Sequence, residues 1–289
     1  MTQHQTGRVA GKVALITGGA RGQGRAHAVA LAAEGADVVI TDLCADIASA
    51  PYPMGTAAEL AETVELVEKL GRRALGITAD VRDPAAMRAA VARTIAEFGR
   101  LDVVVAQAGI APLGKDRGVQ AMLDAVDVDL LGAIATINAA VPQLSAGASV
   151  IATGSLAALR PRSSGGSGGP GAVGYKYAKV ALAQYVHELA TVLAPQRIRV
   201  NCVHPTNVDT PMLQNSGMYK LFRPDLEDPT REQAEAAFPA MQAMPVPYVA
   251  VEDVAAAVVY LASEESRYVT GMQLRIDAGG YLNIAEFRP

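Results

Sequence analysis

The chain has 289 residues, of which 51% are hydrophobic and 19% are charged. This composition excludes a disordered protein and supplies enough apolar side chains for one large core. The net charge of −4, without any run of Lys or Arg, indicates neither nucleic acid nor an anionic membrane surface as a partner. Apolar stretches look shorter than the roughly 20 residues of a membrane span, and residues 1–11 lack a signal peptide's apolar stretch. We therefore expect a cytoplasmic protein.

Cysteine and histidine are too scattered to form a metal or redox motif. Cys44 and Cys202 share no paired spacing, and a reduced, buried thiol is the ordinary interpretation of Cys202. None of the four histidines stands four residues from another, the spacing of two ligands on one helix. We expect no metal.

Strand-like runs alternate with helical patterns along the whole chain. The runs are continuously apolar, as in Val103-Val104-Val105, which is typical of strands covered by helices on both faces of a parallel sheet. Leu60, Val64 and Val67 recur at helical spacing between two such runs. The pattern predicts a single-domain, Rossmann-type α/β fold with a doubly wound parallel sheet of about seven strands and flanking helices. The predicted strands are residues 12–17, 36–41, 73–78, 101–106, 148–153, 197–203 and 271–277.

Three segments interrupt this alternation. Residues 43–58 contain Pro51-Tyr52-Pro53 and delay the second helix, so we expect a long insertion loop there. Residues 160–174 are rich in glycine and predict a mobile active-site loop. Residues 211–247 follow the sixth strand and are rich in Met, Phe, Tyr and Pro. Because loops beyond the carboxyl ends of parallel strands form the ligand crevice, this third segment is the candidate substrate lid.

A glycine motif follows the first predicted strand. Gly18, Gly22 and Gly24 stand between that strand and a helix predicted to begin at about Gln23. Glycine lets the backbone approach a pyrophosphate closely, and the amino terminus of a helix offers it unpaired N–H groups. The motif therefore predicts a dinucleotide site.

Asp42, at the end of the second strand, predicts which dinucleotide binds. A carboxylate there accepts hydrogen bonds from the ribose hydroxyls and repels a 2′-phosphate, which favours NAD over NADP. Arg21 is the opposing signal, since an arginine can contact a phosphate, but no basic residue follows Asp42 in Leu43-Cys44-Ala45. We expect NAD, with the 43–58 insertion beside its adenosine end.

Two further strand ends are expected at the nucleotide. Asp80-Val81 ends the third strand near the expected adenine position, although a turn or cap residue ahead of Asp83 would look the same. Gln107-Ala108-Gly109 ends the fourth strand, where small residues let the backbone run against a cofactor. A plain turn after the strand is the alternative for this second site.

Tyr175 and Lys179 predict acid–base chemistry. They stand four residues apart on one face of a predicted helix, where the ammonium can depress the pKa of the phenol from its usual value of about 10. Ser155 follows the fifth strand, where a crevice residue belongs, and Thr153 offers a second hydroxyl. When a carbinol carbon loses hydride its hydroxyl proton must also leave, and a phenolate beside an ammonium can take it.

Together these motifs resemble the short-chain dehydrogenase/reductase family over nearly the whole chain. The matching pieces are Thr17-Gly18-x-x-x-Gly22-x-Gly24, Ala108-Gly109, Ser155, Tyr175-x-x-x-Lys179 and Asn201-x-x-x-Pro205. The resemblance implies that Tyr175 is the general acid or base, that Ser155 orients the substrate oxygen, and that Lys179 binds the nicotinamide ribose. It also extends the expected cofactor contacts to Arg21, Gln23, Leu43, Thr153, Pro205, Thr206, Val208 and Thr210.

Two positions depart from the family pattern. The usual Asn-Ala-Gly after the fourth strand reads Gln107-Ala108-Gly109, and the family's helix asparagine, part of its proton relay, corresponds to Asp129. Asp129 either shapes the helix and holds water or ionises and weakens the relay. The gap from Ser155 to Tyr175 also exceeds the family's usual spacing, and the glycine-rich loop accounts for the extra length.

Within the family, the chain resembles the mycofactocin-associated, carveol-dehydrogenase-like branch. The 43–58 insertion, Gly22-Gln23-Gly24-Arg25 and residues 204–212 carry this resemblance. It implies a tightly held NAD that passes its electrons to a redox acceptor. The family also implies a homotetramer with the helices around residues 119–141 and 175–193 at one two-fold axis. Small residues there would allow close approach, namely Gly132, Ala133, Ala135, Ala139 and Ala140.

The predicted function is hydride transfer between NAD and a small, mainly apolar secondary alcohol or ketone. An NADPH-dependent ketoacyl-type reductase is one alternative, which Asp42 disfavours. A catalytically lapsed NAD-binding sensor or scaffold is the other, which the intact Tyr175 and Lys179 disfavour. Apolar lid residues would line the substrate pocket unless they pack against the core or a neighbouring subunit. They are Met212, Leu213, Met218, Leu221, Phe222, Phe238, Met241 and Met244.

Overall fold

The computed structural model describes residues 7–160 and 168–282. Within these ranges, parallel strands form one seven-stranded sheet in the order β3-β2-β1-β4-β5-β6-β7. The strands are β1 Val13–Thr17, β2 Asp37–Asp42, β3 Ala74–Thr78, β4 Val103–Ala106, β5 Ser149–Thr153, β6 Arg199–Pro205 and β7 Gln273–Ile276. The predicted doubly wound α/β fold is confirmed, and each strand begins and ends within two residues of its predicted bounds.

Helices cover both faces of the sheet because every connection between parallel strands must cross over it. They are α1 Gly22–Ala33, α2 Ala57–Lys69, α3 Pro84–Phe98, α4 Val119–Val126, α5 Ala133–Ala140, α6 Leu156–Leu159, α7 Gly169–Leu193, α8 Ser216–Phe222, α9 Arg231–Glu235 and α10 Val251–Ala262. Local signals set their ends. Thr56 and Glu59 form a reciprocal capping box before α2, and α3 begins at Pro84 after the Asp83 cap.

Strand side chains alternate between two apolar layers. Ala14 and Ile16 of β1 pack with residues of α1, α2 and α10, whereas Leu15 packs with residues of α3, α5 and α7. Burial on both faces accounts for the continuous apolar sequence of the central strands. Because β1 and β4 are neighbours where the strand order reverses, the loops that follow them meet over one crevice.

Among the described residues, the helical run Val119–Gln143 is long and apolar enough to cross a membrane by length and composition alone. The expectation that no stretch approaches the length of a span is therefore wrong for this run. It consists of α4, a π-helical turn Asp127–Gly132, α5 and a short 3₁₀ turn. Ile137 and Ala140 of the run are fully buried in the layer that covers the sheet, which explains its apolar composition.

The three interrupting segments are shorter or more ordered than predicted. The insertion ends at residue 56, because α2 begins at Ala57. The helix that carries Tyr175 begins at Gly169, so it takes in the end of the predicted 160–174 loop, while residues 161–167 of that loop lie outside the described residues. The candidate lid contains α8, α9 and the 3₁₀ turn Phe238–Met241.

Candidate active site

The glycine motif and the loop after β4 touch at the carboxyl ends of the two central strands. Gly18 has a φ of +67°, and a Cβ on it would lie 2.7 Å from the Cα of Ala108, so this contact requires glycine. The first turn of α1 has no acidic residue, and its cap residue Arg21 makes no side-chain capping hydrogen bond. The amides of that turn are therefore available to a pyrophosphate.

A groove opens from this point along the carboxyl edge of the sheet. Most of the predicted cofactor contacts line it: Gly18, Arg21, Gly22, Gln23, Gly24, Asp42, Leu43, Asp80, Val81, Gln107, Ala108, Gly109 and Thr210. Residues that were not among the predicted contacts also line it, namely Ile47, Tyr52, Met54 and Gly55 of the insertion, with Ala79, Ile110, Val128 and Pro211. Met212 of the candidate lid lines it as well. The groove thus has a wall supplied by the insertion.

Six predicted cofactor contacts are outside the lining of this groove: Thr153, Tyr175, Lys179, Pro205, Thr206 and Val208. Val208 is buried in the apolar core, where its backbone bridges to Val249. The Thr153 hydroxyl donates to Gln107 Oε1 at 2.5 Å. Both side chains are therefore committed to the protein itself.

Asp42 is held in a fixed orientation at the end of β2. Its carboxylate accepts from the amide of Ala20 at 3.0 Å and from the amide of Cys44 at 3.2 Å. Arg21, the opposing signal in the sequence, donates to the carbonyl of Pro53 and lies 3.9 Å from a Glu59 carboxylate oxygen. Because Arg21 is engaged by the insertion and α2, the groove fits a dinucleotide without a 2′-phosphate.

Asp80 lies at the groove and also makes a local turn, in which its carboxylate accepts from the amide of Arg82 at 2.9 Å. The same carboxylate lies 2.7 Å from the Arg82 guanidinium. Burial works against the charge of Asp80, but the hydrogen bonds from Arg82 outweigh it and hold the pKa of the carboxyl below its ordinary value. The N-cap of α3 is Asp83.

The insertion is fastened to both sides of the groove. Tyr52 is buried, and its hydroxyl accepts from the amide of Ala111, in the loop after β4, at 2.9 Å. Arg117 donates to the carbonyl of Ser49 at 3.0 Å, and Arg21 reaches Pro53 from the glycine motif. The insertion was expected only beside the adenosine end, but it extends to the loop that borders the catalytic residues.

The ammonium of Lys179 is buried between two oxygen atoms. Its Nζ donates to the main-chain carbonyl of Thr153 at 2.8 Å and lies 3.0 Å from Asp129 Oδ1. The same Nζ is 5.7 Å from the centroid of the Tyr175 ring, one turn earlier on α7. Burial disfavours its charge, but Asp129 and Tyr175 outweigh burial, so the pKa of Lys179 is above its ordinary value.

The pKa of Tyr175 is raised, contrary to the expectation that Lys179 depresses it below its usual value. Burial is the largest cause, and the negative charge of Asp129 adds to it. Lys179 and a hydrogen bond with the Ser155 side chain lower the pKa of Tyr175, but their combined effect is smaller than that of burial and Asp129. Sequence spacing correctly indicated the effect of the ammonium and could not account for burial or for Asp129.

Ser155 is positioned by a histidine that the sequence left without a role. The amide of Ser155 donates to His204 Nδ1 at 3.1 Å, and His204 Nε2 lies 2.6 Å from Gln273 Oε1. Burial lowers the pKa of His204, so the ring is neutral near pH 7, and its Nδ1 also lies 2.9 Å from the Ser155 carbonyl oxygen. His204 therefore fixes the backbone of the residue whose hydroxyl bonds to Tyr175.

Gln107, the first departure from the family pattern, belongs to a buried polar network. Its Oε1 accepts from the Thr153 hydroxyl and lies 3.0 Å from His27 Nε2. Burial lowers the pKa of His27 to about 4, so this ring is neutral as well. Gln107 therefore ties β4 and β5 to α1 beneath the groove, a role that its position in the sequence did not indicate.

Of the two alternatives for the apolar lid residues, packing within the protein describes several of them. Leu213 and Phe238 are buried in a small cluster with Met218 and Phe222, and the rings of Phe222 and Phe238 pack edge to face with centroids 4.6 Å apart. Their hydrophobic surface forms the lid's own core. Met212 is the predicted lid residue that lines the groove, while Met244 is 59% exposed.

Comparisons with known proteins agree with this geometry. The family model described as enoyl-(acyl carrier protein) reductase matches residues 18–281. The chain is 46% identical over 278 residues to (−)-trans-carveol dehydrogenase of Rhodococcus erythropolis, across 94% of this chain and 98% of that protein. It is 36% identical over 284 residues to cyclohexanol dehydrogenase of Rhodococcus sp. (strain TK6), across 93% and 96%. The crystal structure of carveol dehydrogenase from Mycobacterium avium in complex with NAD matches with a TM-score of 0.89 and 41% identity, across 96% of this chain and 100% of that one.

Replacing Asp42 by Ala should weaken NAD binding and improve NADP binding, because one carboxylate supplies both the ribose acceptor and the repulsion of a 2′-phosphate. We expect NAD affinity to fall about tenfold or more, the loss of one or two charge-assisted hydrogen bonds. Fluorescence titration of both dinucleotides into nucleotide-free protein measures the change. Asp42→Asn keeps an acceptor for the Ala20 amide and separates loss of charge from loss of structure. An unchanged ratio of the two affinities in both variants would place the ribose contact elsewhere.

Proposed function

The chain belongs to the short-chain dehydrogenase/reductase family and is an NAD-dependent oxidoreductase, and on that premise we propose that it interconverts a small, mainly apolar secondary alcohol and its ketone. One observation carries the proposal. Tyr175 stands one turn before Lys179 on α7, with its ring centroid 5.7 Å from the buried ammonium, and the Ser155 side chain acts on its phenol in favour of the phenolate. NAD, when bound, supplies the hydride acceptor of the oxidation.

The chain's own residues divide the remaining chemistry among them. Tyr175 takes the hydroxyl proton during oxidation and returns it during reduction, and Ser155 orients the substrate oxygen beside the phenol. Lys179 has three N–H donors, of which one bonds to Thr153 and one side of the ammonium faces Asp129. The remaining donor is free to bind the nicotinamide ribose. In the free protein Tyr175 is protonated, and a cationic ring beside it would favour the phenolate.

The proposed substrate class rests on the groove and on the relatives. Tyr52, Ile110 and Met212 give the groove an apolar wall near the loop after β4, and such a wall suits an apolar ligand that presents one hydroxyl. Two relatives are named as dehydrogenases of trans-carveol and of cyclohexanol. We therefore assign a small, mainly apolar secondary alcohol rather than an acyl thioester as the substrate class.

Tyr175→Phe should lower turnover by more than about 100-fold while NAD binding stays nearly intact, because the ring remains and only the proton-transferring hydroxyl is lost. Turnover is measured with cyclohexanol and carveol and an added electron acceptor. Tyr177→Phe, on the same helix and 59% exposed, is the matched control and should remain fully active. Lys179→Ala should lose both turnover and NAD affinity.

Near-normal turnover by Tyr175→Phe would contradict the assignment of Tyr175 as the general acid or base. Wild-type protein with bound NAD but no turnover would favour a sensor.

We also propose that NAD is released slowly and is reoxidised in place. The insertion forms a wall of the groove and is held at Ala111, Arg21 and Arg117, so a bound dinucleotide would leave only after these contacts open. Resemblance to the mycofactocin-associated branch supports a separate redox acceptor that takes electrons from the bound NADH. With free NAD as its only oxidant the enzyme would then turn over slowly.

Tyr52→Phe should speed NAD release, because it removes the hydroxyl that joins the insertion to the Ala111 amide and leaves the ring in place. The expected increase is about fivefold to tenfold, as for the loss of one buried hydrogen bond. Stopped-flow displacement of bound NADH measures the rate. Tyr268→Phe, at a side chain that is 89% exposed, is the control. Shortening the insertion between Cys44 and Thr56 should have a larger effect. Wild-type protein that purifies free of NAD and turns over rapidly with NAD alone would defeat the idea.

A cytoplasmic homotetramer is the proposed assembly, with α4, α5 and α7 at one two-fold axis. Gly132, Ala133 and Ala140, the small residues expected to face a partner, are instead buried in the chain's own core. α4, α7 and the π-helical turn nevertheless carry exposed apolar side chains, which we call the apolar patch: Val119, Leu123, Leu131, Val173, Tyr177 and Val180. A second copy of the chain would cover this patch. Sedimentation equilibrium should give a tetramer, whereas a monomer at micromolar concentration would contradict the proposal.

A further inference from the structure

Asp129, the second departure from the family pattern, lies in an unusual backbone segment. The π-helical turn Asp127–Gly132 interrupts the helical run between α4 and α5, and such turns frequently occur at functional sites. Asp129 is 1% exposed, and its side chain is completely buried. A carboxylate in that position needs partners, because burying an unpaired charge costs several kcal/mol.

The carboxylate joins three elements of the site. Its Oδ1 lies 3.0 Å from Lys179 Nζ on α7, and its Oδ2 accepts from the amide of Ile110 in the loop after β4 at 3.3 Å. Oδ1 has no hydrogen bond of good geometry, so its contact with the ammonium is mainly one of charge. A Cβ on Gly109 would lie 2.6 Å from Asp129 Oδ1 and 3.4 Å from Lys179 Nζ, so the loop depends on glycine to make room for the pair.

We propose that Asp129 is a positioning residue that holds the Lys179 ammonium by direct charge contact and thereby sets the pH at which Tyr175 becomes a base. This inference rests on the proposed role of Tyr175. In the pattern that the family resemblance implies, a neutral amide occupies this position. Here a carboxyl group replaces it, so the site contains a Tyr–Lys–Asp triad in place of a Tyr–Lys pair. Burial raises the pKa of Asp129, and the Lys179 ammonium, 3.0 Å from Oδ1, opposes this rise and favours the carboxylate.

The other titratable groups around the triad are neutral. Burial raises the pKa of Tyr52 and raises that of the Cys202 thiol to about 12. Burial lowers the pKa of His204. Among the described groups that face the triad, the formal charges are therefore those of Lys179 and of Asp129 in its carboxylate form. Their influences on the Tyr175 phenol are opposite, the ammonium favouring the phenolate and the carboxylate opposing it.

The sign of the effect follows from these charges. Oxidation of an alcohol requires the phenolate, so its rate rises with pH through the pKa of Tyr175. Asp129→Asn removes the charge that opposes the phenolate, while the Thr153 carbonyl still accepts from Lys179 Nζ and the amide oxygen of the new side chain offers a neutral contact. In the variant, half of the Tyr175 side chains should therefore be ionised at a lower pH than in wild type. The expected shift is about one pH unit or more, because the charge that is removed lies only a few ångströms away.

Asp129→Asn has nearly the same shape as wild type and keeps an oxygen for the Ile110 amide, so a merely structural role would leave the titration of Tyr175 unmoved. The measurement is a pH titration of tyrosinate absorbance in the ultraviolet, with and without NAD. Subtracting the titration of the same protein that also carries Tyr175→Phe isolates the signal of Tyr175. Asp124→Asn, a buried carboxylate on α4 that bonds to Gln120, is the control and should not shift the midpoint.

Asp129→Ser is a second uncharged variant, and circular dichroism establishes that each protein is folded. A shift of the Tyr175 midpoint to lower pH in either folded variant supports the proposal, and the pH profile of alcohol oxidation should move with it. An unchanged midpoint, or a shift to higher pH, would overturn it, as would loss of the fold in both variants, since the charge would then serve stability alone. Failure of the proposed function is separate, because it would appear as an active Tyr175→Phe enzyme.

Discussion

The buried ammonium of Lys179 requires oxygen atoms from separate parts of the chain, since an unpaired charge at that depth would cost several kcal/mol. The carbonyl of Thr153 comes from the end of β5, and the carboxylate of Asp129 comes from the π-helical turn. Gly109 leaves the space in which these groups meet. The lysine thus couples the sheet edge, the long helical run and α7, and Tyr175 is placed by the same helix.

Enclosure of the cofactor follows from a second set of long-range contacts. A glycine motif and an acidic residue after β2 are enough to bind a dinucleotide, but they leave the groove open on one side. In this chain the insertion closes that side, and the Arg21 side chain is turned toward Pro53 and Glu59. Arg21 thereby helps to close the groove and is not available to bind a 2′-phosphate. In the proposed account, cofactor choice and cofactor release are linked through Arg21.

Local motifs were sufficient to predict the sheet, the glycine motif, Asp42 and the pair Tyr175 and Lys179, because each depends on residues that are close in sequence and on the carboxyl ends of strands. The rest depends on contacts between distant segments. Nothing near Tyr52 in sequence indicates that its hydroxyl meets Ala111, 59 residues away.

Two other features of the site were beyond local motifs for the same reason. His204 is recognisable as a partner of Ser155 only in the folded chain, where the two are 49 residues apart in sequence. The pKa of Tyr175 was misjudged because burial and the charge of Asp129 cannot be derived from spacing along one helix.

The most direct test of the contacts proposed for Lys179 is a high-resolution crystal structure of the complex with NAD. The account predicts that Lys179 Nζ stays against the Thr153 carbonyl and Asp129 while its remaining donor binds the nicotinamide ribose. An ammonium that leaves Asp129, with water between the two side chains, would contradict it.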